Sequence, residues 1–267
     1  MTQMTTKFSE RLEIPEELLD LREEINETVE DLGQRLLKGT DVYRAQIKQI
    51  KSQAQTQRTS AARNGQSQGD TSELTEPTAV FGGVPYQFFD MIAVGPFQPI
   101  GGPPFRPNRI IRAGERAFLI AAIWRNPAPL AFTMGNPSAA DVMAGQPYVI
   151  RGQTVNVNDV ANGPDLGPVN GTFGGGFVDF HVLRIPAVPA PPDGAPRLLD
   201  ITLTIDVRSV ASGLPPFAGY ASQWLQLDTE PPFVFPSIPG TNGQPVVVPG
   251  IVPGFVQDIP VRVLIYA

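Results

Sequence analysis

The feature of this sequence that most limits its fold is the distribution of its prolines. Residues 77–267 hold 28 of the 29 prolines and 22 of the 26 glycines. Proline cannot continue a helix and cannot donate to a central strand, so this segment is expected to form short strands joined by turns and loops. The single proline outside it is Pro15. The chain therefore divides into an N-terminal part that can form helices and a C-terminal part that favours β-structure.

Within residues 77–267, several runs alternate apolar and polar side chains. The clearest is Leu198–Val207, where leucine, isoleucine and valine occupy every second position. This period of two is typical of a sheet with one buried face and one solvated face. The pattern predicts an antiparallel β-sandwich of jelly-roll or Greek-key type. The other predicted strands are Phe177–Ile185, Arg116–Arg125, Tyr86–Val94, Asn108–Arg112, Tyr148–Ile150, Thr154–Val157, Ser222–Leu227 and Val256–Tyr266.

The N-terminal segment, residues 1–51, has helical periodicity. Pro15 followed by two glutamates predicts a helix start, and Gly39 predicts its end before a second helical stretch over Asp41–Lys51. The later apolar residues are spaced four, three and four apart, as in a coiled-coil seam. Such a face needs a partner, which is either the chain's own β domain or another protein, including a second copy. The predicted interface residues are Leu18, Leu21, Ile25, Val29, Leu32 and Leu36.

Residues 52–76 contain almost no large apolar side chain and are rich in Gln, Ser, Thr, Asn and Gly. This composition is typical of a flexible polar linker. The predicted organisation is therefore a helical arm at residues 1–51, a linker at 52–76 and a β-sandwich domain at 77–267. A linker of this length would let the arm reach a neighbouring copy.

The charge and the residue usage exclude several classes of function. A net charge of −6 argues against nucleic acid or an anionic membrane as a partner, because both need a basic surface. The absence of cysteine excludes disulfides and thiolate chemistry. No apolar run reaches the length of a membrane span, and the N-terminus does not resemble a secretory signal. The expected locations are the cytoplasm, a virion, or outside the cell after leaderless export.

The β domain has an unusual charge composition. It holds ten arginines, twelve acidic residues and no lysine. Lysine is depleted at protein interfaces, and it also protects exposed sheet edges from pairing. The composition favours a non-enzymatic structural subunit of a homo-oligomeric filament, shell or virion-like assembly. Its expected partners are copies of itself or another assembly protein.

No residue pattern assigns a catalytic, cofactor or metal site. His181, the sole histidine, shares a strand face with Asp179, but both are expected to face solvent or a loop. The oxygen-rich loop of residues 156–165 fails the calcium-binding pattern of an EF-hand, because Val160 and Val169 occupy ligand positions.

Two alternative functions remain open from the sequence. The first is a carbohydrate- or ligand-binding module, in which Phe217, Tyr220 and Trp224 form an aromatic platform. The second is a hydrolase, which needs two carboxylates held at acid–base spacing. Its candidate residues are Asp179, Asp200, Asp206 and Asp228.

Overall fold

The computed structural model describes ten stretches of the chain, which together form a mainly β protein with one long N-terminal helix. In the described stretches, no helix combines the length and apolarity needed to cross a lipid bilayer. The described residues are 7–63, 89–99, 107–127, 138–190, 194–208, 217–224, 234–235, 246–247, 256–257 and 260–266.

The N-terminal region contains two short 3-10 helices, Ser9–Arg11 and Glu16–Leu21, and the 42-residue helix α1, Arg22–Arg63. The second 3-10 helix begins directly after Pro15 and continues into α1, which confirms the helix start predicted there. The predicted break at Gly39 is wrong, because α1 runs through that glycine without interruption. Tertiary packing stabilises the helix there, since Gly39 and Thr40 are both buried.

Helix α1 also extends into the segment that the composition assigned to a linker. Residues 52–63 are helical, and residues 64–76 lie outside the described part of the chain. Glutamine, serine, alanine and arginine, which make up much of this segment, are compatible with a helix as well as with a linker. The division of the chain into arm, linker and β domain stays a prediction.

Most predicted strands are found with shifted ends, but Val256–Tyr266 contains two strands, which pair with different neighbours. Residues 86–88, 225–227 and 258–259 of the predicted strands lie outside the described residues. Tyr148–Ile150 and Thr154–Val157 are parts of one continuous strand, because the intervening Arg151 and Gly152 also pair with the neighbouring strand. The strands are β1 Phe89–Phe97, β2 Ile110–Arg112, β3 Ala117–Arg125, β4 Pro147–Asn156, β5 Ala161–Asn162, β6 Leu166–Thr172, β7 Val178–Ile185, β8 Arg197–Val207, β9 Phe217–Trp224, β10 Val234–Phe235, β11 Val246–Val247, β12 Val256–Gln257 and β13 Val261–Tyr266.

Strands β5, β6, β10 and β11 and one short helix have no counterpart in the sequence prediction. Gly167 and Pro168 argued against a strand at β6. These two residues lie opposite the register shift between Ile150 and Gly152 of β4, and a proline is tolerated at such an irregularity. The short helix α2, Ala139–Met143, begins with a capping box between Ser138 and Asp141.

Eleven of the described strands form one sheet of mixed orientation. Its main path runs β2-β13-β8-β9-β1-β3-β7, and β4 pairs with β8 beside that path. Most pairs are antiparallel, but β1 pairs with β9 in parallel and β13 pairs with β2 in parallel. The wholly antiparallel sheet that the sequence predicted is therefore wrong.

The core consists of two hydrophobic clusters that share strands β1, β3 and β7. The first lies between these strands and the N-terminal helices. The second contains the opposite side chains of the same strands together with the buried faces of β4, β8 and β13. Strand β3 is buried at all nine positions because it contributes to both clusters, with Trp124 in the first.

Helix α1 packs on its own sheet through the predicted apolar face. Gly33 allows this close approach, because a Cβ at this position would lie 2.3 Å from the ring of Phe8. Phe8 in turn makes an edge-to-face contact with Phe180 at 5.3 Å between ring centroids. The glycine that weakens the helix on propensity is thus required by the packing. Five predicted interface residues are at most 1% exposed: Leu18, Ile25, Val29, Leu32 and Leu36.

Polar contacts fix the position of the N-terminal helices on the sheet. Trp124 Nε1 donates to Thr40 Oγ1 at 3.0 Å inside the packed layer. At the surface, the Arg116 guanidinium donates to both carboxylate oxygens of Asp20, at 2.7 and 2.8 Å. Exposed ion pairs contribute little free energy, so the apolar cluster supplies most of the stability of this contact.

We expect Leu32→Ala to lower the free energy of unfolding by about 2–5 kcal/mol, because it leaves a cavity in a fully buried layer. The control is Glu27→Ala on the exposed side of the same helix, for which a change within about 0.5 kcal/mol is expected. Urea titration followed by tryptophan fluorescence measures both. Equal effects of the two substitutions would contradict the packing of α1 on the sheet.

Candidate functional site

The most unusual arrangement of polar side chains lies at one end of strands β3, β4 and β7. It consists of Arg125, Tyr148, Asp179 and His181, which we call the polar cluster. Arg125 ends β3 on the face of the second hydrophobic cluster, and its side chain is 0% exposed. A fully buried arginine is rare and needs partners for its charge and its five N–H groups.

The Arg125 guanidinium holds together segments that are distant in the sequence. Its Nη1 donates to the carbonyl oxygens of Gly174 at 2.8 Å and Ala140 at 3.3 Å. Its Nη2 donates to the carbonyl oxygen of Gly176 and lies 3.1 Å from Asp179 Oδ2. One side chain thus joins the end of β3 to α2, to the loop before β7 and to β7 itself.

The other carboxylate oxygen of Asp179 is also occupied. Asp179 Oδ1 accepts a hydrogen bond from the backbone N–H of Gly174 at 3.3 Å. Gly174 has little free space, because a Cβ there would lie 2.4 Å from Nη1 of Arg11. The side chain of Arg11, which ends the first 3-10 helix, therefore lies next to the same loop.

Tyr148 and His181 form the second half of the polar cluster. The Tyr148 hydroxyl and His181 Nε2 are hydrogen-bonded at 2.5 Å, and their rings meet edge to face. The Tyr148 ring also packs on Phe173 at 4.3 Å between centroids. Gly171, opposite Tyr148 on β6, leaves room for the ring, because a Cβ there would lie 2.4 Å from Tyr148 Cζ.

Burial shapes the electrostatics of all four residues. Desolvation lowers the pKa of His181 to about 4, so its imidazole is neutral at pH 7. Desolvation also raises the pKa of Tyr148, which keeps the phenol protonated. It raises the pKa of Asp179 as well, although the nearby Arg125 charge acts in the opposite direction. For Arg125 itself, burial lowers the pKa and the Asp179 charge opposes that shift.

The arrangement is that of an internal cross-link and not of an acid–base pair. Asp179 contacts Arg125 and Gly174, and the hydrogen bond of His181 goes to Tyr148. Asp179 faces the loop before β7, through its hydrogen bond with Gly174, whereas His181 lies against Tyr148 of β4. Sequence reasoning missed Arg125 and Tyr148. Arg125 could have been noticed, because it is the one charged residue of β3 and its position in the alternation places it on a core-facing side.

The predicted helical interface is buried within the chain. Leu18, Ile25, Val29, Leu32 and Leu36 belong to the first hydrophobic cluster, and Leu21 packs against it. In this conformation these residues face the chain's own sheet, and only Leu21 among them is partly exposed.

The predicted aromatic platform is divided by the geometry of strand β9. Positions 220 and 224 share one face of the strand by their even spacing, whereas position 217 falls on the opposite face. Tyr220 is 58% exposed.

The oxygen-rich loop uses its side chains for its own turn. Asn156 Oδ1 accepts from the backbone N–H groups of Asn158 and Asp159, and Asp159 Oδ2 accepts from the Asn156 amide. Asp165 Oδ1 accepts from the backbone N–H of Thr154. Over the ranges that the structure describes, no group of three or more His, Cys, Asp or Glu is placed to hold a metal ion.

The candidate hydrolase carboxylates have separate arginine partners. Asp200 makes two hydrogen bonds with Arg262, and Asp206 lies 3.4 Å from Arg151. Asp179 is paired with Arg125, as described above, and Asp228 lies outside the described residues. The three described carboxylates thus form three separate ion pairs and no acid–base pair.

Comparison with known proteins identifies no family. No protein-family model matches the chain, and no curated protein matches it. Among solved structures, the CARDB domain of a Pyrococcus furiosus protein, in complex with di-metal ions, is similar at 7% identity and a TM-score of 0.24, covering 54% of this chain and 95% of that domain. A family 123 glycoside hydrolase from Clostridium perfringens is similar at 7% identity and a TM-score of 0.25, covering 51% of this chain and 27% of the enzyme. Similarities this low support no conclusion about function.

We expect Arg125→Met to lower the free energy of unfolding by about 3–5 kcal/mol, because it leaves the Asp179 carboxylate buried without its charged partner. The double variant Arg125→Met/Asp179→Leu should recover part of this loss. The control, Arg262→Met, breaks an exposed ion pair and should cost about 0–1 kcal/mol. Urea titration measures all three, and similar losses at the two arginines would contradict the role of Arg125.

We expect His181 to make the fold sensitive to acid. Its pKa is about 4 in the folded chain and roughly 6.5 in an unfolded one, so its contribution to stability is present above pH 6.5 and is lost as the pH falls towards 4. The loss amounts to at most about 3 kcal/mol. Asp179 acts in the opposite direction, since its raised pKa favours the folded state on acidification.

The measurement compares the unfolding free energy at pH 7 and pH 4.5 for the wild-type chain and for His181→Gln, which cannot titrate. The wild type should lose more stability than the variant over this interval. The same loss in both proteins would show that the His181 imidazole does not contribute to the acid sensitivity.

Proposed function

We propose that this chain is a non-enzymatic structural subunit that assembles with copies of itself into a filament, shell or virion-like particle. The observation that carries the proposal is the length of α1, which runs for 42 residues. Its last described contact with the β domain is that of Arg44, whose guanidinium lies 5.0 Å from the ring centroid of Phe177. The remaining residues, 45–63, form about 28 Å of helix at 1.5 Å per residue.

This distal part of α1 needs a partner for the same reason that the proximal part does. Its described side chains are all exposed: Ala45, Lys48, Gln49, Ser52 and Thr56. The sequence also places Tyr43, Ile47 and Ile50 at spacings of four and three, which repeats the pattern of the buried face. An isolated helix of this length is marginal in water, so contact with a neighbouring subunit would stabilise it.

The composition of the β domain supports the same proposal. It has no lysine and few charges, as expected of a surface that neighbouring subunits cover. We also infer that the two parts of the sheet pack face to face as a sandwich, in the manner of a jelly roll. The support for this arrangement is the second hydrophobic cluster, which contains side chains from β3 and β7 together with others from β4, β8 and β13.

An alternative function is the binding of carbohydrate or another planar ligand. The specific observation in its favour is the 58% exposure of Tyr220, since exposed aromatic rings can stack on sugars. The site would consist of Tyr220 with Trp224 on the same face of β9, without Phe217.

We expect the intact chain to be oligomeric when its mass is measured by light scattering after size-exclusion chromatography, and to form discrete particles, rings or fibres in electron micrographs. Replacing both Ile47 and Ile50 with aspartate should lower the mass, because it places charge on the distal apolar face. Gln49→Asp, at an exposed position of the same helix, should leave the mass unchanged. Deleting residues 1–51 is not a suitable test, because it would uncover the first hydrophobic cluster. A monomer at every concentration would refute the proposal.

A glycan array tests the alternative function. If carbohydrate binding is the function, Tyr220→Ala and Trp224→Ala should each abolish the signal of the wild-type chain, whereas Phe217→Ala should affect it only through stability. The absence of wild-type binding to any glycan would remove this alternative.

A further inference from the structure

A row of apolar side chains crosses the outer face of the sheet, where the strand pattern would place polar residues. Ile110 on β2 pairs with Leu264 on β13, and Leu264 pairs with Leu198 on β8. The backbone N–H of Val157, at the end of β4, donates to the carbonyl oxygen of Leu198 at 2.9 Å. Ile110, Leu264, Leu198 and Val157 therefore form one continuous line across four strands, which we call the outer row.

The outer row is accessible to solvent. Ile110 is 46% exposed and Val157 is 38% exposed, and the two central leucines are half-buried between them. Val155 and Tyr266, in the rows on either side, are each 43% exposed. Elsewhere on this face, β8 carries Asp200, Thr202, Thr204 and Asp206, which follow the expected alternation. The outer row thus interrupts the polar alternation that β8 shows elsewhere on this face.

At the adjacent sheet edge, β2, side chains occupy backbone groups that an added strand would pair with. A contact with another molecule is therefore expected through the face of the sheet. Strand β2 lies at the end of the main path of the sheet. The side chain of Asn108 accepts a hydrogen bond from the backbone N–H of Ile110. The Gln98 amide accepts from the backbone N–H of Arg112 and donates to its carbonyl oxygen. Side chains therefore occupy three backbone groups of this edge that an added strand would need, the N–H of Ile110 and the N–H and carbonyl oxygen of Arg112.

The charges around the outer row are balanced on both sides. On one side, Arg262 pairs with Asp200, and on the other side Arg112 pairs with Glu115. A molecule with a net charge of −6 repels its own copies in general, but this face presents neutral ion pairs around an apolar centre. Two copies of the face can therefore meet without like-charge repulsion.

We propose that the outer row is a contact surface between two copies of this chain, packed face to face. The proposal rests on the proposed function and names one surface through which the assembly forms. Four strands spaced about 4.8 Å apart and three rows of side chains give roughly 400 Å² per copy, about half of a standard interface. The contact is accordingly weak as an isolated pair and gains strength when another contact, such as the distal part of α1, acts with it.

Sedimentation velocity of the intact chain over a concentration series tests the contact. Val157→Lys and Ile110→Lys each place a charge in the outer row and should weaken association by more than about tenfold. The matched control is Thr204→Lys, which adds the same charge on the outer face of β8, away from the outer row, and should leave association unchanged. Circular dichroism verifies that each variant is folded. If one of the two row variants does not fold, the other is enough to test the contact.

The absence of cysteine allows an independent measurement at the same surface. Leu264→Cys, labelled with pyrene at its single thiol, should give excimer fluorescence that increases with protein concentration. The same label at Glu23, on the exposed side of α1, should give none.

The outcomes separate this proposal from the proposed function. Association that is weakened in the row variants and retained in Thr204→Lys, together with an excimer at position 264, supports the contact. Association that is equal in the wild type, the row variants and the control overturns the contact and leaves the assembly function standing. A wild-type chain that stays monomeric throughout overturns both.

Discussion

The packing of α1 on strands β1, β3 and β7 is the interaction on which the rest of the structure depends. It covers one face of strands whose other face already forms the second hydrophobic cluster, so these strands are buried on both sides. Gly33 and Phe8 set how closely the helix and the sheet approach each other, and Trp124 with Thr40 fixes a polar contact inside the layer.

The polar cluster complements this packing at the end of the same strands. Arg125 joins the loop before β7, helix α2 and Asp179, and these segments would otherwise be connected only through the sheet. A buried charge pair of this kind stabilises the fold little in total, because desolvation offsets its attraction, but removing one partner is costly. The cluster therefore specifies how the loop and the strands fit together. Because His181 is neutral in the folded chain, protonation of its imidazole at low pH would destabilise this arrangement.

Much of the fold was predictable from residue spacing. The alternation in β8 located that strand nearly to its ends, and the spacing from Leu18 to Leu36 identified the buried face of the helix. Other elements were not predictable for physical reasons. Gly39 remains helical because tertiary packing outweighs its propensity, and β6 contains a proline that is tolerated at a register shift. Arg125 and Tyr148 were missed because they lie far in the sequence from Asp179 and His181, and only strand pairing brings the four together.

The sequence by itself determined the class of the protein: a helical N-terminal segment, a β-rich remainder without cysteine, and an apolar helix face that requires a partner. These properties follow from local periodicity and composition, which act within a few residues. The tertiary structure decided which partner the helix face takes, the mixed orientation of the strands and the alignment of the outer row. Those depend on register between distant segments, because two side chains become neighbours across a sheet only when the strands that carry them are paired.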